Sequence, residues 1–305
     1  MRLRFLMLLL LGLAGSGFAR PPSNDRLFKH GVDAFYATNW VRADSTFNAL
    51  MRSNPNDPRA FFFSSMIPFW AYFFGGNEPE HAENFLKRSE RAIAVAQKRL
   101  DAAPSDTSTV LLLSGLHGYR SLVAASEKEY RVAIGSGVKG YSFTKTLMAY
   151  GQDNPNALMG QGVFHYMVGT VPGEIRWMAT LAGLSGDKDT GLRYLARVAS
   201  SDSDARYDAM MILAFLMERE GRPEDALRYL AWMRRSYPDN VLALYHQSRL
   251  FESQGRFQDA RAGYMKVMQT SQSEFAFLRT ESRKKAAQLA GYVFPQRSGT
   301  PIHRR

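Results

Sequence analysis

Apolar residues recur every three to four positions along most of the chain, and no stretch alternates between apolar and polar residues as a half-buried strand would. The clearest examples are residues 83–100 and residues 108–134, each of which would place its apolar side chains on one face of an α-helix. Prolines and glycines interrupt these periodic segments at turn-like positions. The pattern therefore predicts an all-α protein.

Two adjacent segments, 207–240 and 241–274, share one pattern at the same spacing. Each predicts two helices joined by a glycine-containing turn, and Ala226 lies 34 residues before its counterpart Ala260. The residues that fit this pattern are apolar or small, except for a proline that ends the first segment. They are Met210, Leu213, Ala214, Met217, Ala226, Leu230, Met233 and Pro238, followed by Leu244, Ser248, Phe251, Ala260, Tyr264 and Val267. This arrangement resembles the tetratricopeptide repeat, a helical hairpin of about 34 residues.

A further copy of the pattern occupies residues 24–57, with Gly31 and Ala43 at the small positions. Residues 58–206 keep the helical period but predict divergent, elongated repeats, because the prolines that end successive units are farther apart there. We therefore predict a right-handed superhelix, an α-solenoid of tetratricopeptide-type hairpins, across residues 20–290. We expect a capping helix over about residues 274–290 and a disordered basic tail at 291–305.

Residues 160–199 carry a more specific pattern: a glycine, an apolar helix, a break at Pro172, a second apolar helix and a glycine-rich passage. The passage contains Gly183, Gly186-Asp187, Gly191-Leu192 and Leu195. This order resembles the core of the inclusion-body-clearance, or tetratricopeptide repeat protein 39-like, family and its bacterial relatives. The resemblance implies a helical-repeat adaptor without known catalysis, and it carries over no catalytic residue. The length of 305 residues and an apparent export signal depart from the larger intracellular eukaryotic members.

Residues 1–19 have the features of a signal peptide. Arg2 and Arg4 form a short basic region, residues 5–13 are apolar, and small residues precede the expected cleavage point after Ala19. An uncleaved anchor is less favoured because the apolar run is shorter than the ~20 residues that a bilayer span needs. We therefore expect a protein that is exported, either periplasmic or secreted.

The formal net charge is +11, and it falls to +9 if Arg2 and Arg4 are removed with the signal peptide. Such an excess attracts anionic partners, including anionic lipid, lipopolysaccharide or another envelope component, and acidic proteins. Solvated helix faces with a basic bias would give the same charge. We expect no nucleic-acid partner, because the protein is exported and no helix shows a clean basic stripe with interleaved aromatic residues.

Two apolar segments allow alternative interpretations. Residues 61–74 are the most aromatic stretch, and they predict either a packed repeat helix or a surface that dips into a membrane or holds a hydrophobic ligand. Residues 163–184 approach the apolarity of a membrane span. However, Glu174 and Arg176 lie in their middle, and each would cost about 2.5–3.5 kcal/mol in hydrocarbon. A buried helical hairpin is the better prediction.

The sequence offers little for catalysis, so we predict no enzyme, no cofactor and no metal site. There is no cysteine, and none of the metal-binding, nucleophile-elbow or phosphate-loop motifs occurs. The acidic segment 186–189 resembles a calcium loop only superficially, and Asp187 there is better interpreted as a helix N-cap. The histidines are at unrelated spacings: His30, His81, His117, His165, His246 and His303.

The default binding site of such a superhelix is its concave groove, which the first helix of each repeat lines. In this sequence the groove positions are Asp208, Met211, Phe215, Glu218, Tyr245, Arg249 and Glu252, together with Leu242. An aromatic residue and two opposite charges on one helical face suit a protein or peptide partner, although Arg249 and Glu252 could instead pair only with each other. We therefore predict an extracytoplasmic protein-interaction scaffold. The alternative is a peripheral membrane or lipid-binding adaptor that uses residues 61–74 and the basic surface.

Overall fold

The computed structural model describes residues 22–149, 154–170, 185–203 and 205–291. Within these ranges the chain forms thirteen α-helices and no β-strand, so the all-α prediction is confirmed. The helices are α1 (Pro22–Tyr36), α2 (Trp40–Ser53), α3 (Pro58–Gly75), α4 (Pro79–Ala102), α5 (Thr107–Ser126), α6 (Tyr130–Ala149), α7 (Pro155–Gly169), α8 (Lys188–Ala199), α9 (Arg206–Arg219), α10 (Pro223–Ser236), α11 (Val241–Ser253), α12 (Phe257–Val267) and α13 (Ala276–Ala290).

The helices pack as consecutive hairpins, from α1 with α2 to α11 with α12, and each hairpin contacts the next along the chain. This is the arrangement of an α-solenoid. The middle helices are elongated as predicted: α4 has 24 residues and α5 and α6 have 20 each, against 15 in α1 and 14 in α2. A 3-10 turn (Ser273–Phe275) leads into α13, which covers the apolar end of α12 and is the capping helix.

Small residues mark the helix crossings. Gly31 of α1 faces Phe47 of α2 so closely that an added Cβ atom would lie 2.7 Å from the Phe47 ring. Ala226 of α10 and Ala260 of α12 are completely buried. Because a larger side chain at these positions would push the helices apart, the small residues set the distance within each hairpin.

The first hairpin also contacts the last ones, so the solenoid closes on itself. The turn between α1 and α2 meets the turn between α10 and α11, where the Asn240 side-chain amide donates to the Tyr36 carbonyl oxygen at 2.7 Å. The Val241 amide donates to the Thr38 hydroxyl at 3.0 Å, and the Tyr36 ring packs 4.9 Å from the Tyr207 ring. Gln272 adds a bond from its amide to the Thr38 carbonyl at 2.7 Å.

This closure places α3 in the middle of the molecule, where neighbours cover it on nearly all sides. Phe61, Met66, Trp70 and Phe74 are buried, and Phe74 accepts a hydrogen bond at its carbonyl from the His246 ring nitrogen at 2.8 Å. The aromatic stretch is therefore a packed core helix. The alternative in which residues 61–74 form a membrane-dipping surface is wrong, because most of their aromatic side chains are buried and only Phe62, Phe63 and Phe73 keep partial exposure.

No helix in the described part of the chain is both long enough and apolar enough to span a bilayer. Three expectations concern residues outside the described ranges: the signal peptide at 1–19, the break at Pro172 with the second half of the apolar hairpin up to residue 184, and the tail after residue 291. Asp187 caps α8, since its carboxylate accepts from the Thr190 amide at 2.7 Å, and this is the role preferred for it from the sequence.

Candidate binding surfaces

Three of the predicted groove residues lie inside the closed solenoid. Asp208 on α9 accepts a hydrogen bond at Oδ2 from the Tyr36 hydroxyl of α1 at 2.8 Å. Met211, one turn further along α9, is only 1% exposed. Leu242 on α11 is also buried. The first hairpin and α3 therefore fill part of the groove that these residues were expected to line.

Three groove residues keep partial exposure at the edge of this contact. Phe215 is 37% exposed, and its ring packs 5.2 Å from the Phe73 ring. Arg249 donates to the Glu218 carboxylate at 3.0 Å, which joins α11 to α9. An ion pair this exposed contributes little to stability, about 0–1 kcal/mol, so Arg249 remains accessible to a partner.

The remaining two groove residues bond within the C-terminal repeats. Tyr245 is half-buried, with its ring 6.0 Å from the Tyr264 ring. Glu252 accepts from the Tyr264 hydroxyl at 2.6 Å and pairs with Lys285 of α13 at 2.9 Å. Arg249 and Glu252 thus have separate partners, and the alternative in which they pair only with each other is wrong.

An open cavity of about 500 Å³ lies on the inner side of the solenoid, between α1, α3, α5, α6, α7 and the start of α9. Its walls are mainly aromatic and aliphatic. They include Phe28, Phe62, Phe63, Leu112, Leu122, Tyr141, Val163 and Phe164. A hollow of this size and character matches the pockets in which proteins hold small ligands, which span about 300–1,000 Å³.

Asp208 supplies the carboxylate in the cavity wall. Burial raises its pKa to about 6, although hydrogen bonds from the side chains of Tyr36 and Trp70 act in the opposite direction. Tyr119 also lines the cavity, and burial together with the Asp208 charge raises the pKa of its hydroxyl. In the described residues no lysine or arginine forms an ion pair with Asp208. Arg59, at the same cavity, is held by Asp25 and Asp57, at 3.0 Å each.

Glycines shape the wall that α5 and α6 contribute to the cavity. Gly140 of α6 lies against α5, where an added Cβ atom would be 3.0 Å from the Gly118 nitrogen. Gly118 itself lines the cavity, and a Cβ atom there would meet nothing within 4 Å. The first glycine allows two helices to approach, whereas the second leaves space that no side chain of the described residues fills.

A second notable surface is an apolar stripe on α6, formed by Tyr130, Ile134 and Val138. Their side chains are 62%, 68% and 64% exposed, and they lie one turn apart on the helix side away from α5. Basic residues flank the stripe, and α6 contains no acidic residue. The basic residues are Arg131, Lys139 and Lys145. An exposed apolar stripe flanked by charged residues is typical of an interaction site.

The helical period of residues 108–134 does not predict this stripe, because it assigns Tyr130 and Ile134 to the same apolar face as the preceding segment. The opposite face of α6 indicates the correct orientation of the helix, because Ala133, Ser136 and Gly140 on that face are small enough to pack closely on α5. Because small residues occupy the buried side of α6, the larger apolar residues face outward.

Within the described residues, no cluster of histidine and carboxylate side chains could hold a metal ion.

These features define a tetratricopeptide-type helical-repeat protein, a fold that suggests a scaffold for protein–protein interaction. Residues 156–279 match the model of a particular family, Iml2/Tetratricopeptide repeat protein 39, so the resemblance predicted from residues 160–199 is confirmed. No curated protein matches the chain.

Several solved structures are similar to the chain, among them the following two. A tetratricopeptide repeat protein from Parabacteroides merdae ATCC 43184 is 11% identical, with a TM-score of 0.37 over 88% of this chain and 100% of the other. The TPR domain of P58(IPK) is 13% identical, with a TM-score of 0.25 over 88% of this chain and 100% of the other.

Proposed function

We propose that this protein is an exported, non-enzymatic scaffold that binds a partner protein on the outer face of α6. The observation that carries the proposal is the stripe of Tyr130, Ile134 and Val138, each of which leaves more than half of its side chain in water. Tetratricopeptide-type repeats supply a rigid helical support for such a surface. The α5 helix holds α6 in place through close backbone packing at Gly118 and Gly140.

The spacing of the stripe suits a helical partner. Side chains at i, i+4 and i+8 form a ridge that an amphipathic helix can cover with its own apolar face. Complete burial of one large aliphatic or aromatic side chain contributes about 1.5–3 kcal/mol before the entropy of association is subtracted. Because Arg131, Lys139 and Lys145 flank the ridge, we expect acidic residues beside the apolar face of the partner.

The same charge pattern makes an anionic membrane surface the second candidate. An interfacial helix combines an apolar face with lysine and arginine, and α6 has both. In this candidate the surface that contacts lipid is α6, and not residues 61–74 as the sequence suggested. A stripe of three residues on a helix fixed to α5 offers less apolar area than a typical interfacial helix, and we therefore favour the protein partner.

A photo-crosslinking amino acid at position 134 tests the proposal, with the same amino acid at Val41 as the matched control. Val41 on α2 is also 65% exposed, but it is an isolated apolar residue. We expect a crosslink to one defined protein from position 134 in cells and none from position 41. After purification, that protein should bind the unmodified chain, and Ile134→Asp should weaken its binding at least about tenfold.

Two results would contradict the scaffold proposal. Equal crosslinking from both positions would show that position 134 samples its surroundings without a specific partner. Flotation of the chain with phosphatidylglycerol vesicles, lost in Ile134→Asp, together with no protein crosslink, would establish the membrane candidate in its place.

A further inference from the structure

The inner cavity has no role in the proposed contact on α6. Its aromatic walls come from α1, α3, α6 and α7, and Phe62 and Phe63 of the central helix face it. At about 500 Å³ it is large enough for a ligand of drug size, and it is open on one side. The closure of the solenoid brings Asp208 and Tyr36 to its wall, so the contact between the first hairpin and the ninth helix forms part of the cavity.

Gly118 of α5 lines the cavity and contributes no side chain to it. Glycine in a helix interior destabilises the helix relative to alanine, so it usually indicates a close contact or a special backbone angle. The Gly118 backbone does pack against Gly140 of α6, but a Cβ atom added to Gly118 itself would meet none of the described residues within 4 Å. The effect of the missing side chain is to enlarge the cavity.

The charge in the cavity indicates which ligand would fit. Asp208 receives hydrogen bonds from the neutral side chains of Tyr36 and Trp70, but no cation of the described residues forms an ion pair with it. Arg59 is the other charged residue that the described part of the chain contributes to the cavity lining, and it forms ion pairs with Asp25 and Asp57. A carboxylate among aromatic rings favours a positively charged group, because the ring faces attract cations as well.

We propose that this cavity binds a small amphiphile in which an apolar chain carries a positively charged amine. The amine lies against Asp208, and the chain packs between the aromatic side chains of α3 and α7. The site is separate from the outer face of α6, so it stands whether or not a partner protein binds there.

Three probes with the same apolar chain test the charge preference: decyltrimethylammonium, decyl sulfate and decyl maltoside, each kept below its critical micelle concentration. Isothermal titration calorimetry on the whole chain should give an affinity for the cationic probe at least about tenfold above the other two. Asp208→Asn should remove this preference while it leaves the affinity for the maltoside unchanged. Equal affinity for all three probes in the wild type, or no binding by any of them, would overturn the proposal.

Two glycine variants test the location. Gly118→Leu fills the cavity without an adjacent clash and should abolish binding of the cationic probe, while its melting temperature stays equal or rises. Gly135→Leu is the matched control, because Gly135 is a helix-interior glycine with open space that does not line the cavity. The cavity site would be refuted if Gly118→Leu bound the cationic probe as well as the wild type does, or if Ile134→Asp abolished that binding. Either result would place the probe elsewhere, and neither depends on whether Asp208→Asn folds.

Discussion

The Asn240 side chain donates a hydrogen bond to the carbonyl oxygen of Tyr36 at 2.7 Å, although 204 residues separate the two positions. The same side chain accepts from the Ala243 amide at 2.7 Å and so caps α11. One buried residue therefore starts a C-terminal helix and joins it to the N-terminal hairpin. The turn at Asn240 therefore contributes both to the local repeat structure and to the contact that closes the solenoid.

Replacement of Asn240 by alanine should destabilise the protein by about 2–3 kcal/mol, because the cap is lost and the Tyr36 carbonyl is left unpaired in a buried turn. Asn39→Ala is the matched control: Asn39 also caps a helix, accepting from the Arg42 amide at 3.3 Å, but it is exposed. That variant should lose only about 0.5–1 kcal/mol. Urea unfolding of both variants checks the difference, and equal losses would mean that the contact with Tyr36 adds nothing.

Acid should destabilise the protein between about pH 6.5 and pH 4, in part through His246. Burial, and then the nearby Arg249, lowers the pKa of His246 from 6.5 to about 4. As the pH falls below 6.5, the unfolded chain takes up a proton that the folded ring does not, so stability is lost progressively and the loss is complete below pH 4. The full effect is roughly 3 kcal/mol.

His246→Gln should therefore make the free energy of unfolding less dependent on pH in this window, as measured by urea unfolding at several pH values. Two other groups contribute to the wild-type curve. His117 has a pKa lowered to about 4 by burial and adds to the loss. Asp208 has a pKa raised to about 6, so its ionisation costs stability as the pH rises and partly offsets the histidines below pH 6. An unchanged slope in His246→Gln would contradict the prediction.

The crossing positions give a prediction about packing. Ala226→Leu and Ala260→Leu should each cost about 1–3 kcal/mol, because both alanines are completely buried between paired helices. Ala231→Leu and Ala262→Leu are the controls on the same two helices, where the alanines are exposed and leucine should change little. Thermal unfolding of the four variants tests the assignment. Equal melting temperatures throughout would remove these alanines from the helix crossings.

The elements that sequence analysis predicted well are those decided by neighbours in the chain. The helical period, the small residues at Ala226 and Ala260 and the Asp187 cap all depend on contacts within one hairpin. The closure could not be predicted in this way, because Tyr36 and Tyr207 belong to repeats far apart in the chain. The repeat pattern in the sequence predicts contacts only between successive hairpins, and in such an arrangement Asp208 and Met211 would line an open groove. In the structure, α1 and α3 occupy much of that space.

The mature protein should begin at Arg20, because Ala19 follows small residues after a basic and an apolar region. Mass spectrometry of the protein extracted from the cell envelope of its native host would measure this end directly. Replacement of Ala19 by a bulky arginine should block the cleavage and leave a larger species. Detection of intact Met1 on the wild-type protein would contradict both the cleavage and the proposed export.

Gly118 of α5 and Gly140 of α6 are neighbours at one helix crossing, but they should respond in opposite ways to replacement by alanine. Gly118→Ala places its Cβ atom in the open cavity and removes the conformational freedom of glycine from a helix interior, so it should stabilise the protein by about 0.5–1 kcal/mol. Gly140→Ala places its Cβ atom 3.0 Å from the Gly118 nitrogen and 3.3 Å from the His117 carbonyl carbon. Backbone atoms cannot move aside as a flexible side chain can, so this variant should lose about 1–3 kcal/mol. Urea unfolding compares the two variants under identical conditions. Changes of the same sign would mean that the space beside Gly118 closes in solution, and the cavity with it.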